Sequence, residues 1–111
     1  MADADDLRAR LDAVRAGFVA DLPNRAAALQ AAWDAAAANG WRQDLRRELH
    51  RLVHSLSGSG ATFGFPELSE CAHALEERLQ RLPQGAGIDA FIPSLFAALL
   101  AALGAAADRA D

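Results

Sequence analysis

The chain has 111 residues, of which 52% are hydrophobic, and its formal net charge is −4. This length fits one domain, so we predict a single helical domain over 1–111 with a core from about 5 to 105. The hydrophobic content excludes wholesale disorder, and the acidic balance argues against a general nucleic-acid binder. Cys71 is the only cysteine, which excludes an intrachain disulfide and a thiolate metal cluster.

Neither end of the chain has the pattern of a targeting or membrane segment. The N-terminus carries Asp3, Asp5 and Asp6 and lacks the basic and then apolar layout of a signal peptide. The apolar run from Phe91 to Leu103 is short and rich in alanine for a membrane span. We therefore expect a cytoplasmic protein without membrane association.

Apolar spacing and helix-breaking residues predict an all-α fold. Tyr is absent, Ala is abundant and β-branched residues are scarce, which favours helix over sheet. Pro23 is expected to restart the chain after a first helix, because proline is not tolerated in a helix interior. Short loops favour an antiparallel up-down four-helix bundle with an additional N-terminal helix. The predicted helices span about 5–20, 22–39, 41–60, 66–82 and 89–107.

The third predicted helix carries a polar face with two histidines. Wound at 3.6 residues per turn, it places His54 roughly 150–160° from the centre of its Leu/Val stripe, and therefore in solvent. A neutral imidazole is a nucleophile near pH 7 and can accept a phosphoryl group. Nearby arginines would favour the phosphoryl charge through charge-assisted hydrogen bonds, and Gly58 would leave room for an incoming active site. The neighbours on this face are His50, Arg47, Arg51, Ser57, Gly58 and Ala61.

The run from His54 to Gly60 (HSLSGSG), followed by FGFPEL from Phe63 and CAHALE from Cys71, resembles the histidine-containing phosphotransfer (HPt) domain family. The resemblance covers roughly Asp5 to Leu103. It implies an antiparallel four-helix bundle that relays phosphoryl groups between aspartates of receiver domains in two-component signalling. His54 matches the phosphoacceptor, Gly58 the small residue that admits the partner, and Gly64 the glycine between two helices.

The resemblance also implies a phosphoryl carrier and not an enzyme, with no cofactor or metal of its own. The catalytic acids and Mg²⁺ belong to the partner, which is the receiver domain of a response regulator or of a hybrid sensor histidine kinase. A monomer is expected, although apolar helical stripes bury equally well within a chain or across a dimer. Ser57 departs from the family, which usually has lysine three residues after the histidine.

Other interpretations of these residues remain open at this stage. The alternative function is an HPt-like adaptor or kinase-inhibitor bundle that only binds a kinase or receiver domain. This alternative remains because Ser57 stands where the family usually has lysine. The chain could also be one module of a larger kinase. Metal binding by His50 and His54 lacks a third ligand, and Cys71 is expected in the core. His73 is expected in solvent, while Trp33 and Trp41 are expected to pack in the bundle.

Overall fold

The computed structural model describes residues 2–109, all of whose regular structure is helical. The four helices are α1 (Ala2–Ala38), α2 (Gln43–Thr62), α3 (Pro66–Arg81) and α4 (Phe91–Arg109). This arrangement confirms the predicted all-α bundle. The predicted domain also includes Met1, Ala110 and Asp111, which lie outside the described residues.

The first two predicted helices form one continuous helix, so the break predicted at Pro23 is wrong. A proline in a helix interior removes one backbone hydrogen bond and costs about 3 kcal/mol. Leu22 and Leu29, on either side of it in sequence, are both 1% exposed in the same core. Packing of the apolar side chains on both sides of Pro23 outweighs this local cost. Within residues 2–38 the structure therefore has one helix, and the predicted additional N-terminal helix is wrong.

Each helix contacts two neighbours, which gives the bundle a square cross-section. Helix α1 packs against α2 and α4, α2 packs against α3, and α3 packs against α4. The apolar stripes of all four helices meet in one core. Its fully buried large side chains are Leu22, Leu29, Leu49, Val53, Leu56, Leu68, Leu75, Ile92, Leu99 and Leu103.

The turns between helices have clear local causes. Helix α1 ends at Ala38, and Gly40 and Trp41 in the turn that follows both have positive φ, 67° and 59°. Helix α2 therefore begins at Gln43 and not at the predicted Trp41. The Asp89 carboxylate accepts the backbone N–H groups of Phe91 and Ile92 at 2.9 and 3.2 Å, which caps the start of α4.

Helix α4 is the one described helix that is long and apolar enough to cross a membrane by length and composition alone, with a mean hydropathy of 1.8. Ile92, Phe96 and Leu99 of this helix lie in the bundle core. A core helix passes the same test, so the observation is weak evidence for a membrane span.

The N-terminal third of α1 projects beyond the bundle. The molecule is 57 Å long and only 22 by 19 Å across, and a 37-residue helix accounts for the long dimension at 1.5 Å per residue. Arg15 marks the point where α1 leaves the bundle, since its guanidinium donates to the Phe63 carbonyl in the α2–α3 turn. Before this point Leu7, Leu11 and Val14 are 57–59% exposed.

Candidate functional site

The imidazole of His54 stands on the outer face of α2, near the middle of that helix. Its side chain is 71% exposed, as the helical winding predicts. The buried residues Leu49, Val53 and Leu56 hold the opposite side of α2 against the core, so the helix cannot rotate this face inward. The ring is therefore open to a visiting protein.

Glu76 of α3 fixes the orientation of this ring. Its Oε1 lies 2.8 Å from His54 Nδ1, and the Glu76 side chain is only 11% exposed. A carboxylate accepts hydrogen bonds, so Nδ1–H donates, and in the neutral imidazole Nε2 is then the nitrogen with the free lone pair. The structure thus holds the imidazole from its inner edge and leaves its other ring nitrogen as the acceptor.

Glu76 was not among the predicted site residues, although the α2–α3 hairpin contains the signal for it. In an antiparallel hairpin, facing residues have sequence numbers with a nearly constant sum. In the described contacts the two sequence numbers total 130 for His54 and Glu76, and 129 for Gly60 and Ser69 at the turn end. A turn centred near residue 65 therefore places a carboxylate of α3 opposite His54.

His50 lies one turn before His54 but in a different environment. The two rings are nearly parallel, at 8°, with centroids 6.2 Å apart. His50 is half-buried, and its Nε2 is buried without a hydrogen-bond partner among residues 2–109. It lines an open cavity of about 210 Å³ between α2 and α3, together with Arg46 and Arg47. A nitrogen enclosed in this way is not reachable by an incoming phosphoryl group.

The predicted phosphate-supporting arginines also differ from each other. Arg51 donates two hydrogen bonds to Glu48, at 2.6 and 3.0 Å, and both side chains are exposed. These hydrogen bonds lower the pKa of Glu48 and raise that of Arg51. Arg47 is exposed beside the cavity. Both guanidinium groups lie on the helix face of His54, but the charge of Arg51 is balanced by Glu48, so the net positive charge of this face comes from Arg47.

The small residues that follow His54 leave a flat surface. A Cβ added to Gly58 would meet no atom within 4 Å, so the fold does not require glycine there. Gly58 and Ala61 are exposed, and Ser57 is half-buried with its carbonyl accepting a 2.7 Å hydrogen bond from Ser69. A partner surface can therefore approach the backbone of α2 one turn beyond the imidazole.

Two other glycines shape the α2–α3 hairpin itself. A Cβ on Gly60 would lie 3.0 Å from the Ser69 backbone nitrogen and 3.3 Å from the Phe65 carbonyl oxygen, so glycine permits close packing of the two helices. Gly64 has a φ of +83°, a conformation that favours glycine. The predicted inter-helix glycine thus has a structural role in the turn, whereas Gly60 was missed as a packing residue.

A comparison with models of known families shows which family this bundle belongs to. Residues 13–108 match the family model described as the Hpt domain. The chain belongs to the Hpt domain family. No curated protein and no solved structure gives a significant match to it. Hpt domains are phosphocarriers, and the family supports a phosphotransfer-type role in two-component signalling.

The Hpt match begins at residue 13, close to the point where α1 enters the bundle. The matched residues therefore include all of α2, α3 and the site around His54, whereas the exposed Leu7 and Leu11 precede the match. In this Hpt domain the position three residues after His54 is Ser57, and the chain contains no lysine. The cationic side chains near the imidazole are therefore arginines.

Proposed function

We propose that His54 accepts a phosphoryl group from the phosphoaspartate of a receiver domain and passes it to the aspartate of another receiver. The observation that carries this proposal is a ring 71% exposed whose Nδ1 is held 2.8 Å from a buried carboxylate oxygen. The transfer requires one nucleophilic nitrogen, fixed in direction and open on its outer side. The proposal places the protein in the cytoplasm, where receiver domains act.

In the forward step, the lone pair of His54 Nε2 attacks the phosphorus of the aspartyl phosphate. The N–P bond forms as the P–O bond to the aspartate breaks, and the receiver carboxylate leaves with its electron pair. The proton on Nδ1 stays between the ring and Glu76, which stabilises the positive charge that develops on the imidazole. In this proposal the receiver supplies Mg²⁺ and the acidic residues, and the Hpt chain needs no cofactor of its own.

The residues around His54 have separate roles in this proposal. Gly58 and Ala61 form the flat surface that the receiver approaches, and Gly64 keeps the α2–α3 turn in place. Arg47 and Arg51 attract the acidic pocket of the receiver and, with Ser57, support the transferred phosphoryl group. His50 packs beside the acceptor ring and is not itself phosphorylated.

The test is transfer of radiolabelled phosphate from a phosphorylated receiver in the presence of Mg²⁺. The wild-type chain should acquire an acid-labile, alkali-stable phosphoryl group, and His54→Gln should not. His50→Gln and His73→Gln are matched controls that should retain labelling. Labelling of His54→Gln to the wild-type extent would show that the acceptor is elsewhere.

Two Glu76 variants separate the orienting role from packing. Glu76→Gln keeps an oxygen that can accept from Nδ1–H, so it should transfer phosphate more slowly than the wild type but measurably. Glu76→Leu removes the acceptor and should slow transfer by about 10²-fold, the scale of a misplaced catalytic group. Equal transfer rates for wild type and Glu76→Leu would refute the orienting role.

Ser57 supports a second candidate function, an adaptor or kinase inhibitor that binds a kinase or receiver domain without taking phosphate. The half-buried serine offers no cation at the position where the family usually has lysine. The adaptor predicts receiver binding of equal strength for wild type and His54→Gln, with no phosphoryl group on either. The same labelling experiment therefore distinguishes the two functions.

A further inference from the structure

The exposed residues Leu7, Leu11 and Val14 form a seam on the projecting end of α1. Their spacing of four and three residues continues to Phe18, which is 6% exposed in the core. The seam is thus the core stripe of α1 extended past the end of the bundle, with no part of the described chain covering it. Large apolar side chains at this spacing are typical of a helix that packs against other helices.

The charged residues beside the seam indicate which kind of surface it would bind. At about 100° per residue, Arg8 and Arg10 flank the seam on opposite sides, roughly 90° and 70° from its centre. Asp5 and Asp12 lie behind it, about 130–150° away, and Asp3 flanks its far end, about 50° away. Asp6 lies about 110° away and forms an exposed ion pair with Arg10 at 3.2 Å. Two such seams packed on each other would bring arginines together. A favourable partner is an apolar surface flanked by acidic side chains.

The chain itself contains a surface of this kind, a groove between α3 and α4. The groove has a volume of about 420 Å³ and carries Glu67 and Glu70 on its α3 side. Its remaining lining is Cys71 with Ala98, Ala101, Ala102 and Ala105 of α4. Seven residues separate Ala98 from Ala105 and likewise Leu7 from Val14, so groove and seam are both roughly 10 Å long.

The position of the groove allows two copies to exchange these contacts reciprocally. Glu67 lies in the first turn of α3, next to the α2–α3 turn, and its Oε2 is 3.9 Å from Arg109 Nη2. Both residues are at the end of the bundle from which α1 projects. Two bundles stacked end to end about a two-fold axis would lay each α1 along the α3–α4 side of the other. The seam, which continues the core-facing stripe of α1, would then face the groove of the second copy. The two-fold axis makes the two seam–groove contacts identical, so the assembly closes as a dimer.

We propose that this chain forms a two-fold dimer in which the α1 seam of each copy packs into the α3–α4 groove of the other. Three large apolar side chains from each copy are buried, and the arginines beside them meet Glu67 and Glu70. His54 stands on α2, outside both surfaces, so each copy keeps its acceptor imidazole exposed. The proposal is independent of the function of His54.

The first experiment measures mass by light scattering across the micromolar concentration range. The wild-type chain should shift from the monomer to the dimer mass as concentration rises. Leu11→Glu should raise the dissociation constant about a hundredfold or more, because the symmetric dimer buries the new carboxylate twice. Ala9→Glu, the same charge on the back of the same turn, should dimerise like the wild type.

The second experiment uses the single native cysteine, which lies in the groove. A short bis-maleimide should link Leu11→Cys to Cys71 of a second copy and give a covalent dimer. Ala9→Cys and the wild type should give much less, and Leu11→Cys with Cys71→Ala should lose the product. Phosphate labelling of His54 should stay unchanged in Leu11→Glu.

Three outcomes would overturn the proposal. A monomer mass at every concentration excludes the dimer. A dimer that survives Leu11→Glu excludes the seam. Equal cross-linking of Leu11→Cys with and without Cys71 shows that two seams meet each other, which excludes the groove.

Discussion

Two glycines on α2, two residues apart, are expected to respond oppositely to alanine. Alanine is favoured over glycine in a helix interior by about 1 kcal/mol. A Cβ at Gly58 would meet nothing within 4 Å. Gly58→Ala should therefore stabilise the domain by about 0.5–1 kcal/mol.

At Gly60 the same helical gain is opposed by contact with α3. The added Cβ would lie 3.0 Å from the Ser69 backbone nitrogen and 3.3 Å from its Cα. These are backbone atoms, so relief requires α2 and α3 to separate, at a cost of about 1–3 kcal/mol for overpacking. Since the propensity gain is common to both sites, Gly60→Ala should be less stable than Gly58→Ala by that same 1–3 kcal/mol.

Thermal unfolding followed by circular dichroism measures this difference. For a domain of about 100 residues, 1 kcal/mol corresponds to roughly 4–8 °C in Tm. The Gly60→Ala variant should therefore melt at least about 4 °C below Gly58→Ala. Equal melting temperatures for the two variants, or a Gly58→Ala variant less stable than the wild type, would refute the reasoning. Gly58→Ala should also slow phosphotransfer despite its higher stability, because the methyl group meets the docking receiver.

Three further changes test the fold and the groove. Arg46→Met should destabilise the domain by about 1–3 kcal/mol in urea unfolding, because the guanidinium is buried and donates to carbonyls of the α3–α4 loop. Leu49→Ala should cost about 2–5 kcal/mol in the same assay, since that side chain is 0% exposed. Burial, with Glu67 and Glu70 nearby, raises the pKa of the Cys71 thiol. The rate at which Cys71 is alkylated should therefore rise with pH, with a midpoint at a higher pH than for a free cysteine. Glu70→Gln removes one of the negative charges and should lower the pH of that midpoint.

The sequence alone was enough to predict the helical bundle and the exposure of His54. A clear apolar stripe on α2 determines which residues face the core, and the angle between that stripe and His54 follows from helix geometry alone. The match of the chain to the Hpt family agrees with this interpretation. Periodicity within one helix thus predicts the direction of a side chain well.

The sequence did not predict features that depend on contacts between helices. Pro23 indicates a helix break on local grounds, and the continuous α1 results from packing on both sides of it. The 4–3 spacing of Leu7, Leu11 and Val14 indicates an apolar face but not what lies opposite it. Gly60 cannot be distinguished from Gly58 without the position of α3. Each of these outcomes depends on the distance between elements, which a single-helix pattern does not contain.

The placement of Glu76 connects the fold to the proposed chemistry. The carboxylate is nearly buried, and no group of the described residues forms a hydrogen bond with its Oε2. Its Oε1 accepts a hydrogen bond from a ring that is itself mostly in solvent. Burying a polar group with part of its hydrogen bonding unmet costs free energy, and a leucine would fill this position between Leu75 and Leu79 without that cost. The fold therefore gains little from a carboxylate here, whereas an acceptor that orients His54 and stabilises charge on it is what phosphoryl transfer requires. A reacting imidazole needs this orientation even at a cost in stability, whereas an adaptor that only binds does not. This difference is the strongest physical reason to favour the phosphoryl carrier over the adaptor.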